Sequence, residues 1–286
     1  NNKNLKWSKI SLNCLFIYVI IIFIVSINIL ILSKDLPSLD ELQKFNPQQV
    51  SKIISADGVV INKLYTHKRD MVNISAIPAH LRNALFAMED REFYEHSGLS
   101  IKATMRAIIV DVMTLSTKQG ASTLTQQLAR NMYNSIGFKK TITRKIKELI
   151  TAFKIEQTYT KSEILELYLN SIYFGHGNYG IQSASIYYFS KNVSDLTLDE
   201  SAILIGLLPA PARYSPIRHP ERSLSRRNLV LNVMFNEGYI NKEELEENLN
   251  KALYISKGEY NNSVAPHYTE YIRRELEKID TELDIN

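Results

Sequence analysis

Hydrophobic residues along this chain follow one pattern after another, and each pattern predicts a different kind of element. Ser11 to Leu32 (SLNCLFIYVIIIFIVSINILIL) is apolar and carries no charge. At 1.5 Å per residue, a helix of that length covers the roughly 30 Å hydrocarbon core of a bilayer. The run is longer than a signal-peptide core, and SKDLPSL follows it in place of a small-residue cleavage site, so it predicts one N-terminal transmembrane helix. Lys3, Lys6 and Lys9 precede it, which makes residues 1–10 a cytoplasmic tail and puts everything after Leu32 outside the cytoplasmic membrane.

Residues 33–74 predict a juxtamembrane connector and a small β-hairpin. Pro, Asp and Gln interrupt any period up to Pro47, after which alternating β-branched runs flank Asp57-Gly58, a strong hairpin turn signal. From Ser75 to residue 255 the helical period dominates. Pro78 is expected in the first turn of a helix whose apolar stripe is Leu81, Ala84, Leu85 and Met88, and Glu89 falls where that helix runs out. Further helices are predicted over Thr123–Met132, over Arg144–Gln157 with Ile146, Leu149, Ile150 and Phe153 as the buried face, and over Lys161–Asn170, which opens on a Thr160/Glu163 capping box. Two more follow, around SLSRRNLVLNVMFNEGY and KEELEENLNKAL. Between the first two helices, LSIKATMRAIIVDVMTLSTKQGAS fits a buried segment or one dipping into the lipid interface, and the anchor favours the interface.

Composition narrows the class. The 286 residues are 45% hydrophobic and 22% charged, which is globular. A formal charge of +4 is too mild to require nucleic acid, and an anionic membrane or substrate accounts for it equally well. The single cysteine, Cys14, excludes an intramolecular disulfide and a cysteine-clustered zinc site.

Three stretches carry candidate chemistry. AMEDREFYEHSGLS puts Glu89, Asp90, Glu92, Glu95, Arg91, Phe93, Tyr94 and His96 close together. A carboxylate at a helix C-terminus meets the negative end of the helix dipole, which disfavours its ionised form and makes Glu89 a candidate base, with Asp90 and His96 in reach. GASTLTQQLARN has Ser122 as its expected cap and presents Thr123, Gln126, Gln127, Arg130 and Asn131, donors suited to sugar hydroxyls and phosphate oxygens. RKIKE places Arg144 and Glu148 four apart on one helix face, with Lys145 beside them. Each has a plainer alternative: a solvated charge cluster, an amphipathic or DNA-recognition helix, and a surface ion pair. The anchor argues against DNA.

In order and spacing, EDREFYEHSG, GASTLTQQLARN, RKIKE, KSEILELYLN with its trailing glycines, and LTLDESAILIGLLPAPARYSP resemble the peptidoglycan glycosyltransferase domain of class A penicillin-binding proteins and monofunctional transglycosylases. The resemblance implies a mainly α, lysozyme-like domain that polymerises lipid II with inversion and release of undecaprenyl diphosphate. Glu89 is then the general base and Glu148 the second carboxylate. Arg130, Arg144 and Lys145 would face the diphosphate, with Lys161 and Asn131 close in pattern. Asp90, Phe93, His96, Ser122, Thr123, Gln126, Gln127 and Asn170 complete the implied substrate-binding set. Glu92 and Glu95 fall outside the recurring positions. The sequence requires no cofactor, and the resemblance allows a divalent cation, Mg or Mn, bridging the diphosphate. Implied partners are lipid II and the growing glycan strand, the bilayer and cell-wall synthesis proteins, with no nucleic acid.

Two positions depart from the family pattern. Arg130 stands where many members have Lys, and Pro209 where many have a phosphate-contacting Lys, a role open to Arg213 or Arg218. A lytic transglycosylase or muramidase of the same fold is the rival enzyme, and a non-catalytic cell-wall scaffold the rival outside catalysis. APHYTEYIRRELEKI, within residues 256–286, resembles the connector to a transpeptidase domain; no Ser-x-x-Lys or Lys-Thr-Gly occurs here, so the chain is expected to be the N-terminal part of a bifunctional synthase.

Overall fold

The computed structural model describes residues 70–102, 104–106, 122–133, 136 and 141–256, the strand residues 51–54 and 60–64, residue 56, and isolated positions within residues 16–42. Strands β1 (Ser51–Ile54) and β2 (Val60–Leu64) pair antiparallel, Ser51 opposite Leu64, with a register shift after Ile53. The expected hairpin therefore forms, and its Asp57-Gly58 turn lies outside the described residues. So do most of Ser11–Leu32, most of the segment after Ile101, and APHYTEYIRRELEKI. Among the described residues no helix is long and apolar enough to cross a membrane.

The remainder is mainly helical: α1 (Ala79–Glu89), α2 (Leu124–Met132), α3 (Ile142–Thr158), α4 (Lys161–Ser171), α5 (Ile181–Phe189), α6 (Leu198–Leu207), α7 (Pro220–Asn236) and α8 (Lys242–Asn250). A second antiparallel pair, β3 (Tyr173–Gly175) and β4 (Asn178–Tyr179), joins α4 to α5. Helix α6 is buried from Glu200 to Leu207, the signature of a central helix with no solvent face. Helices α1 and α7 pack on it and on each other, and α8 covers α7. The α1 residues Leu81, Ala84, Leu85, Phe86 and Ala87 enter this core, each fully buried Leu contributing roughly 1.5–3 kcal/mol. Helix α2 packs against both α3 and α4.

Local signals place several boundaries. Thr160 and Glu163 form the expected reciprocal cap on α4. Pro78 is the N-cap of α1 and not part of its first turn, and Met88 is only partly buried. Thr123, not Ser122, caps α2, its hydroxyl accepting from the Gln126 amide at 3.3 Å. The buried face of α3 also differs from the expected one. It consists of Glu148, Thr151, Ala152 and Ile155, while Ile146, Leu149 and Ile150 are half-buried and Phe153 is exposed. A helical apolar stripe normally faces the core. Here the cations around Glu148 let a carboxylate turn inward instead.

Candidate active site

The site is assembled on the face that α2 turns toward the end of α1 and toward α3. Glu89 is the last residue of α1 and is half-buried. The Gln127 amide nitrogen donates to its Oε2 at 2.9 Å, and the Gln127 carbonyl oxygen accepts from the Tyr168 hydroxyl at 3.1 Å. Tyr168 is fully buried; burial first, then the nearby Glu89 charge, holds its phenol well above its ordinary pKa, so it remains a donor. This relay from α4 fixes the Gln127 amide with its N–H group toward Glu89.

One helical turn beyond Gln127, Arg130 faces Glu148 on α3, Nη1 to Oε1 at 3.5 Å. Arg144 pairs closely with the same oxygen, and Lys145 Nζ lies 3.4 Å from Oε2. The Glu148 side chain is 1% exposed, yet three cations enclose its one negative charge. That surplus of positive charge is what an anionic group arriving from solvent would meet. Lys145 also donates to Ser122 Oγ at 2.7 Å and to Gln126 Oε1 at 2.6 Å. Burial lowers its pKa from the ordinary value, with Glu148 opposing the shift.

Asp90, next to Glu89, has a structural task. Its Oδ2 accepts from the Leu124 N–H at the start of α2 at 2.9 Å, a favourable place for a carboxylate. His96 Nδ1 accepts from Gly98 N at 3.1 Å, so Nε2 carries the proton and donates to Asp90 at 2.9 Å. The Gly98 carbonyl accepts from Thr123 Oγ1 at 2.8 Å and from Gln126 Nε2 at 2.9 Å. Gly98 has φ +87°, and a Cβ there would stand 3.2 Å from the Ala152 backbone, so only glycine fits. Glu92 accepts from Ser100 Oγ at 2.7 Å and pairs with Lys102 at 2.6 Å; these contacts, Lys102 first, lower its pKa.

The remaining candidates lie off the Glu89–Glu148 face. Phe93 is buried and stacks on Phe86 in the core. Lys161 sits 4.6 Å over the Phe93 ring and donates to the His96 carbonyl at 2.6 Å and to Glu156 at 2.8 Å. Glu156, which also accepts from Thr125 Oγ1, is a member of this network that the sequence reading passed over. Tyr168 was missed as well, although it stands in the quoted KSEILELYLN. Asn170 binds the Val72 backbone with both ends of its amide, at 3.0 and 2.8 Å, as a strand partner would. The Asn131 amide nitrogen is buried without a partner among the described residues. Arg213 lines a groove with Arg222 and Arg226, and Arg218 donates its backbone N–H to Ser215 Oγ at 3.2 Å.

No three His, Cys, Asp or Glu side chains converge among the described residues. Glu148, the carboxylate beside the cations, is already enclosed by them, so this donor set does not fit a resident divalent ion.

Helix α2 thus holds a half-buried carboxylate, Glu89, and a cation-ringed one, Glu148, along a single face. Residues 57–235 match the family described as Transglycosylase, and the chain belongs to that family. It is 46% identical to penicillin-binding protein 1A of Aquifex aeolicus (strain VF5), over 78% of this chain and 31% of that protein. It is 43% identical to penicillin-binding protein 1A of Neisseria gonorrhoeae, over 88% of this chain and 32% of that protein. The 2.6 Å crystal structure of penicillin-binding protein 1A from Haemophilus influenzae superimposes with a TM-score of 0.44 and 27% identity, covering 81% of this chain and 24% of that one. The chain thus spans about a third of the length of the curated relatives it matches.

Proposed function

We propose that this chain is a membrane-anchored peptidoglycan glycosyltransferase with a lysozyme-like domain that polymerises lipid II. Glu89 takes the proton from the 4-hydroxyl of the acceptor N-acetylglucosamine. The freed oxygen attacks C1 of the donor N-acetylmuramic acid from the face opposite the diphosphate, so the configuration inverts. The C1–O bond to undecaprenyl diphosphate breaks, and its electrons stay with the leaving phosphate. Arg130, Arg144 and Lys145 stabilise the charge that grows there, and buried Glu148 holds them in place before the substrate arrives. A net positive cluster is of little use to an enzyme that only cleaves glycan.

The single observation that carries this reading is the pairing on α2: Gln127 holds the carboxylate that accepts a proton, and Arg130, a turn away, joins the cations that receive the leaving group. The exposed Leu99, Ile101 and Met105 next to the acidic loop suit a domain working against a bilayer. Incubating detergent-solubilised chain with lipid II tests it. Glycan polymer with release of undecaprenyl diphosphate is the expected product. Fragmentation of preformed glycan without polymer would overturn it in favour of a lytic enzyme.

A further inference from the structure

A second concentration of positive charge lies on α7. A groove of about 350 Å³ is lined by Arg213, Tyr214, Glu221, Arg222, Arg226 and Leu229, with Ser225 on its wall. Three guanidiniums face one carboxylate, and among the described residues none of the three has an ion-pair partner. Like charges gathered in a concave surface repel one another, so the arrangement needs something to hold it.

Two features hold it. Arg213 and Arg226 both lie against the Tyr214 ring, at 5.6 and 5.4 Å from its centroid, where the ring's negative face attracts each cation. Arg226 is also fitted to its neighbour helix. Its Cγ would stand 3.0 Å from any Cβ on Gly206 of α6, so the absence of a side chain at 206 is what lets the arginine stem lie there. The Arg226 Nε is buried without a hydrogen-bond partner among the described residues. The guanidinium is thus held by its stem and its ring contact, with its Nε donor unmet among the described residues.

From this geometry we infer that the groove between Tyr214 and the first turns of α7 binds a phosphate-bearing ligand. Planar guanidinium forks match phosphate oxygens in pairs, and three of them against Glu221 suit a group of about two negative charges. The volume admits a small phosphorylated head or a diphosphate and is at the lower end for organic ligands. The groove shares no lining residue with the cations around Glu148, and the inference stands whether or not the polymerase reading does.

Arginine-directed labelling with phenylglyoxal, read residue by residue by mass spectrometry on the full chain in neutral detergent, tests it. Inorganic pyrophosphate is one probe and phosphatidic acid, a phosphomonoester lipid, added to the micelles is the other, each against sodium chloride of equal ionic strength. Either probe should slow labelling of Arg213, Arg222 and Arg226 about tenfold when present at about ten times its dissociation constant. Protection by pyrophosphate alone assigns a soluble ligand, and protection by the lipid alone a headgroup. Arg226→Gln, or Arg213→Gln if the first variant loses its circular-dichroism spectrum, should abolish protection of the remaining two. Labelling that neither probe slows beyond the salt control overturns the inference. Arg130 and Arg144 report on the catalytic cations in the same experiment, so a failure there is told apart from a failure here.

Discussion

Gln127 donates to Glu89 at 2.9 Å while its own carbonyl is held by Tyr168, so the Glu89 carboxylate is positioned by a residue whose orientation is itself fixed. Glu89→Gln keeps the size of the side chain and removes the proton acceptor. It should leave the thermal transition and lipid II binding near wild type and lower polymerisation at least ~10²-fold, the usual contribution of a general base. Near-normal polymerisation by a folded Glu89→Gln protein, run beside Glu148→Gln, would remove Glu89 from that role.

Arg144→Ala strips the closest cation from Glu148 and from the proposed diphosphate site. It should cost about 2–4 kcal/mol of transition-state stabilisation, comparable to losing one preorganised donor. Single-turnover rates with lipid II measure this. An unchanged rate would mean the leaving group lies elsewhere.

Lys145 carries a pH signature. Its folded-state pKa lies below the ordinary 10.5, so its charge is lost on raising the pH before that of an exposed lysine. Pyrophosphate affinity at the site should therefore begin to fall at lower pH than ordinary lysine titration allows, and Lys145→Arg should abolish that early fall. Between the two values the unfolded chain binds more protons than the folded one, so folding stability should rise with pH across that window. Calorimetric titration of both proteins over alkaline pH checks the first point, and denaturant midpoints check the second.

Asn170→Ala separates a structural role from substrate contact. Loss of two hydrogen bonds to Val72 should lower stability by about 1–3 kcal/mol. Turnover per folded molecule should persist below the melting transition. A wild-type melting temperature with a raised KM for lipid II would place Asn170 in the substrate site instead.

The anchor read from Ser11–Leu32 predicts a topology. Protease added to intact spheroplasts should digest the domain and spare a fragment carrying Lys3 to Lys9. A protected domain would refute it.

Much of this was legible in local pattern. The Thr160/Glu163 cap, the end of α1 at Glu89 and the strands around Asp57-Gly58 are short-range features, decided within a few residues of themselves. What distance decides was not legible. Asn170 and Val72 are 98 residues apart, and nothing in KSEILELYLN says whether that amide meets a sugar or a backbone. The face of α3 was misjudged for a related reason: periodicity counts hydrophobicity, and three cations from two helices made Glu148 the residue to bury. Likewise Asp90 and His96 belong to the acidic motif in sequence but work at the start of α2 and in the loop that leads to Gly98.

The contacts at Gly98 also bear on how freely the chain between α1 and α2 could change length. The backbone leaves the site at Gly98 and returns at Thr123, whose hydroxyl holds the Gly98 carbonyl, while the next amide, of Leu124, is bound by Asp90. Departure and return are thus fastened to each other. Doubling the length of such a loop adds only about 0.6 kcal/mol of closure entropy. A change of chain length between these two fastenings should therefore leave Glu89 and Gln127 in register, because both are held from outside them.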